Sequence, residues 1–176
     1  MTSSDSGAPG ATRMPTWYIP HGGGPCFFME WSPANTWDSM ATFLRGLGAT
    51  LPARPRAIVC VSAHWLEGDV GVTLGERPEL IYDYYGFPPH TYDLRYPAPG
   101  EPELATRIVE RLRQAGIATH ADARRGFDHG VFIPFLLMFP KADIPVLQVS
   151  LTHDLDPAAH LALGRRVEGN AENPEP

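Results

Sequence analysis

Apolar positions along the chain fall into two periods, which alternate. "RAIVCVSAHW" (56–65) and "ADIPVLQVSL" (142–151) are continuous apolar runs, the pattern of strands buried on both faces. "VGVTL" (70–74) alternates and predicts a half-buried strand, "IATHA" (117–121) a short one, and Trp17–Pro20 another. Between these lie helical spacings. Trp37, Met40, Ala41, Leu44 and Leu47 share a face, with Gly48 as the stop. Leu104, Ile108, Val109 and Leu112 do the same in "EPELATRIVERLRQAG", which ends on Gly116. "GFDHGVFIPFLLMFP" opens as a loop and continues as an apolar helix. "DPAAHLALGRRV" begins one more helix, with Asp156 as N-cap and Pro157 at its first position. "ELIYDYYGFPPHTYDLRYPAPG" (79–100) is rich in proline and aromatics and reads as a long ordered loop.

Strands alternating with helices predict an α/β fold: a single domain with a largely parallel or mixed central sheet and helices on both faces. Its expected span is 14–167. The polar stretch 1–13 lacks an apolar core of the secretory kind and is expected to be a flexible tail, and 168–176 a disordered one. The last helix is followed by "EGNAENPEP" and no further strand, so two expectations stand: a complete domain that ends on a frayed helix, or a domain that lacks a C-terminal part.

Composition narrows the function classes. With 176 residues, 43% hydrophobic and 19% charged, the chain has the make-up of a soluble globular domain. A net charge of -6 without a basic block argues against nucleic acid as a partner. No run approaches the ~20 apolar residues of a membrane span. The two cysteines, Cys26 and Cys60, form no zinc or disulfide motif, which suits a reducing, cytoplasmic setting.

The histidines carry the candidate chemistry. In "WYIPHGGGPCFF", His21 follows a short apolar run and precedes three glycines and a proline, which let the backbone approach a ligand closely. In "AIVCVSAHW", His64 repeats the placement after a second strand. Two imidazoles aimed at one point above a sheet suit zinc, iron, copper or nickel; two unrelated core or surface histidines give the same spacing. "GFDHG" sets Asp128 beside His129 before an apolar helix, either as an acid/base group in a cleft or as a turn capping that helix. The aromatic loop supplies Tyr82, Tyr84, Tyr85, Phe87, Tyr92 and Tyr96, walls for a flat substrate or pins for the loop itself. His120, His153 and His160 are weaker candidates.

Taken together, "PHGGGP", "VSAHW", "IYDYYGFP", "YDLRYPAPG", "FDHG" and "DIPVLQVSL", in this order, resemble the class III extradiol ring-cleaving dioxygenases, in the branch of the DOPA 4,5-dioxygenases. The resemblance runs from about Met14 to about Val167. It implies a non-haem site that holds Fe(II) for activity and is sometimes found with Zn(II). His21 and His64 match family metal ligands, and His129 matches the catalytic acid/base. Tyr85, Phe87, Tyr92 and Asp128 are the expected substrate contacts. The implied reaction opens a catechol-type ring with O2, so the expected partners are a small aromatic diol and O2, with neither nucleic acid nor membrane, in a chain that is free to form a homo-oligomer. The family draws a further metal ligand from a C-terminal segment that this sequence does not contain. Asp83, Asp128 and His153 are the substitutes to look for. Two other expectations follow from that gap: a catalytically incompetent truncated member that serves as a binding domain, and a zinc hydrolase using His21 and His64.

Overall fold

The computed structural model describes residues 14–172, with side chains described as far as Val167. Of the tails expected at 1–13 and 168–176, residues 1–13 and 173–176 lie outside the described residues. Four strands, β1 (Ile58–Glu67), β2 (Val70–Thr73), β3 (Thr119–Asp122) and β4 (Val146–Thr152), form one sheet in the order β1-β4-β2-β3. β1 runs parallel to β4, and β2 parallel to β3, while β2 and β4 are antiparallel. The sheet is therefore mixed, within the α/β class that the alternation predicts.

Among the described residues four α-helices accompany it: α1 (Asp38–Leu47), α2 (Pro102–Gln114), α3 (His129–Met138) and α4 (Pro157–Glu172). The last of these continues past Val167 rather than fraying there. Side-chain alternation along β4 divides the interior. Val146 joins the cluster built by α1, α3 and the aromatic loop, whereas Leu147 and Val149 face α2 and α4. α2 buries the stripe Ala105, Ile108, Val109 and Leu112 on that second side. α3 has no polar stripe, because nearly every side chain from Val131 to Met138 is buried. Among the described residues no helix is long and apolar enough to cross a membrane.

Three expectations about strands change. Trp17–Pro20 is extended but pairs with no strand; Trp17 and Ile19 pack on the core and Tyr18 points to solvent. An in-out alternation needs only a core on one side, so it does not by itself imply a ladder partner. β1 is at the sheet edge rather than in its centre, and Val61 is 50% exposed. The central strand is β4, buried from Val146 through Ser150. β2, read as half-buried, is buried at all four positions because it lies between β3 and β4 beneath α2.

Candidate metal centre

Three backbone devices bring three distant histidines together. His21 ends the extended segment, where Gly22 and Gly24 adopt φ of +73° and +51°. A Cβ on Gly22 would lie 2.4 Å from the Cys26 sulfur, so the turn closes only with glycine there. His64 stands on β1 within the stretch where the register with β4 shifts, between Val61 and Leu66. Such an irregularity re-aims side chains near sites. His129 is the first residue of α3.

The rings meet closely. Centroids lie 4.8 Å apart for His21 and His64, 4.9 Å for His21 and His129, and 4.1 Å for His64 and His129. The Nε2 atoms of His21 and His64 are 2.9 Å apart. One ligand atom from each of the three histidines falls within 4.8 Å of the others.

Asp83 supplies the orientation. Its Oδ1 accepts the Nδ1–H of His129 at 2.8 Å and the backbone N–H of His129 at 2.9 Å. With Nδ1 protonated and held, the lone pair of His129 is on Nε2. Burial pushes the Asp83 carboxyl up, but these hydrogen bonds outweigh it and hold it below the usual range. Burial, and then the charge that His129 would carry, lower the pKa of both His21 and His64. Both are therefore neutral imidazoles near neutral pH.

The residues fit a transition-metal ion. Three nitrogen donors converge, two are held neutral, and the buried Nδ1 of His21 has no hydrogen-bond partner in the protein. A carboxylate behind one histidine is also the usual support for a ligating imidazole.

A pH dependence follows. His21 and His64 bind protons less readily in the fold than in the unfolded chain. Below the ordinary histidine value of 6.5 the unfolded state thus holds more protons, and stability falls with pH. Above it they contribute no slope. Asp83 acts only lower, losing its stabilisation as pH falls below 3.8. Thermal melts of the metal-free chain should be level from about pH 8 to 7 and decline from about pH 6.5 to 5. A level Tm down to about pH 5 would contradict the burial of these rings.

The other expected residues are distributed around this centre. Tyr84 packs edge-on to His129 at 5.9 Å between centroids and donates its hydroxyl to the Thr91 carbonyl at 2.7 Å. Phe87 packs edge-on to Tyr84 at 5.5 Å between centroids, and Tyr92 lies tilted against it at 5.2 Å. Tyr85 is 91% exposed. A cleft of about 430 Å3 opens between the glycine loop and the aromatic loop, lined by Phe27, Phe28, Met29, Glu30, Pro88 and His90.

Asp128 is 0% exposed. It stands at the N-cap of α3, yet its side chain caps nothing. Instead Ser62 donates its hydroxyl to Oδ1 at 2.7 Å, Arg125 donates to Oδ2 at 3.1 Å, and the Gln148 amide also donates to Oδ2. His120 and His153 lie outside the cluster, and His160 ties β4 to α4 by accepting the Thr152 N–H at 3.1 Å. Sequence reasoning missed Asp83 as the partner of His129, and missed Ser62 and Gln148 altogether. The one available signal was parity: Ile58, Cys60, Ser62 and His64 alternate onto the face of β1 that meets α3.

Comparison with known proteins adds the family. Residues 16–173 match the model of the catalytic LigB subunit of aromatic ring-opening dioxygenases. The chain is 38% identical over 177 residues to the dioxygenase tasH of Hapsidospora irregularis, covering 93% of this chain and 53% of that protein. It is 43% identical over 159 residues to the 4,5-DOPA dioxygenase extradiol of Escherichia coli K12, covering 89% of this chain and 55% of that one. The crystal structure of an uncharacterised E. coli K12 protein superposes with a TM-score of 0.58 at 41% identity, over 73% of this chain and 46% of the other. The chain thus spans about half the length of the relatives it matches.

Proposed function

Because this chain belongs to the LigB family of aromatic ring-opening dioxygenases, we propose that it serves extradiol opening of a catechol-type ring with O2, with His21 and His64 holding Fe(II) and His129 as acid/base. The observation that carries the reading is the Asp83–His129 pair beside the other two rings. Bound iron supplies the redox chemistry that lets O2 react with a ring diol. The protein's part is positioning and proton handling.

His129 does the proton work. Its Nε2 takes a proton from a ring hydroxyl, and Asp83 stabilises the imidazolium so formed at 2.8 Å from Nδ1. The same proton is then available for the departing oxygen. Tyr84, Phe87 and Tyr92 give a flat ring an aromatic wall and keep water from it. Tyr85, exposed on that loop, is free to contact the substrate.

A second reading has its own observation. Because the ligand atoms of all three histidines lie within 4.8 Å, His129 can serve as a third ligand, with Asp83 supporting it from behind.

The test is oxygen uptake by the chain loaded anaerobically with Fe(II), offered DOPA, protocatechuate and catechol in turn. The expected result is uptake with at least one diol, matched by a coloured ring-opened product. Retained iron with no uptake on any diol would refute the reading.

A further inference from the structure

We infer that Asp128 is a positioning residue for the histidine centre, a buried carboxylate that seats His64 through the Ser62 hydroxyl. The inference rests on the metal-site reading above.

The connections run through one side chain. Asp128 Oδ1 accepts the Ser62 hydroxyl at 2.7 Å, and the Ser62 oxygen in turn accepts the backbone N–H of His64 at 3.2 Å. Oδ2 takes Arg125 from the loop before α3 and Gln148 from β4. One carboxylate therefore joins β1 at His64, β4, and the first turn of α3, where His129 is the next residue. The side chain has given up the N-cap hydrogen bond that an aspartate at this position ordinarily makes. α3 also leaves room for the seat. A Cβ on Gly130 would come within 2.8 Å of the His64 ring, 3.0 Å of the Ser62 oxygen and 3.1 Å of Asp128 Oδ1.

Stability alone does not account for this arrangement. A buried ionised network is often no more stabilising than apolar side chains of the same volume. Asp128 is fully buried, and one hydroxyl, that of Ser62, separates its Oδ1 from the backbone N–H of His64. Groups that orient ligands from behind typically matter about 10–100-fold in metal affinity.

Asp128→Asn and Ser62→Ala test this with Co(II) as the probe. Asparagine keeps the shape and removes the charge. The Gln148 Oε1 is buried without a partner, so a flipped Gln148 amide can accept the new N–H. Ser62→Ala keeps the carboxylate and removes the hydroxyl that links it to His64. Chelator competition should show a loss of about 10–100-fold in Co(II) affinity for Asp128→Asn, and a smaller loss for Ser62→Ala. The visible Co(II) spectrum should change in both. Parental affinity and spectrum in both variants would overturn the inference. If Asp128→Asn does not fold, Ser62→Ala decides alone. Failure of the underlying reading looks different: the parent chain would bind no Co(II), or would bind it equally well after His21→Ala, and the inference would fall with it.

Discussion

The His64→Ala chain is expected to bind metal about 100-fold more weakly than the parent. Four-ligand structural zinc sites hold their ion with roughly 10–16 kcal/mol, so one nitrogen donor is worth about 3 kcal/mol, or about two decades. His64 is suited to this test because the residue is exposed, with its ring against the other two histidines on the edge strand rather than inside the core. Truncation leaves no closed cavity, and the fold should persist. Thermal shift provides the readout. At a metal concentration ~100 times the parental Kd, binding stabilises the parent by about 2.7 kcal/mol and the variant by only about 0.4 kcal/mol. For a domain of this size that is a rise of roughly 5–10 °C against about 1 °C. Equal metal-induced shifts in both chains would remove His64 from the site.

His129→Ala should cut turnover about 100- to 10,000-fold, the usual worth of a placed general acid/base. The second number to measure on this variant is its metal affinity. If His129 only moves protons, affinity stays within about tenfold of the parent; if it falls about 100-fold, as in His64→Ala, His129 is a ligand. Asp83→Asn sharpens the comparison. The carboxylate accepts Nδ1–H at 2.8 Å and the backbone N–H at 2.9 Å through one oxygen. An asparagine rotated to donate to Nδ1 would force the proton of the ring onto Nε2, the atom that must accept. Turnover should therefore fall with Asp83→Asn even though His129 remains in place. Normal turnover in Asp83→Asn would exclude the orienting role.

Much of the site was legible, for uneven reasons. His21, His64 and His129 each stand beside glycine or at the end of an apolar run, and such punctuation is local, so a sequence displays it. Their meeting is not local: the chain distance from His21 to His64 to His129 says nothing about ring separations of 4.1 to 4.9 Å. Asp83 was in view only as a substitute metal ligand, because only the folded aromatic loop brings it to His129 as a hydrogen-bond partner. Asp128 was expected as a substrate contact or a substitute metal ligand. In the fold, adjacent residues at a helix start point apart, and Asp128 turns inward to Ser62, Gln148 and Arg125.

By itself the sequence determined the α/β class, the helices that carry amphipathic stripes and the three histidines, since periods of 3.6 and 2 and turn residues are properties of neighbouring positions. Tertiary structure alone decided the rest. It put β1 at the edge and β4 in the centre, because strand order depends on pairings between distant segments. It left Trp17–Pro20 without a ladder partner, and it chose which carboxylate, Asp83 or Asp128, faces His129. Each of those outcomes is set by contacts between residues tens of positions apart, which no local pattern encodes.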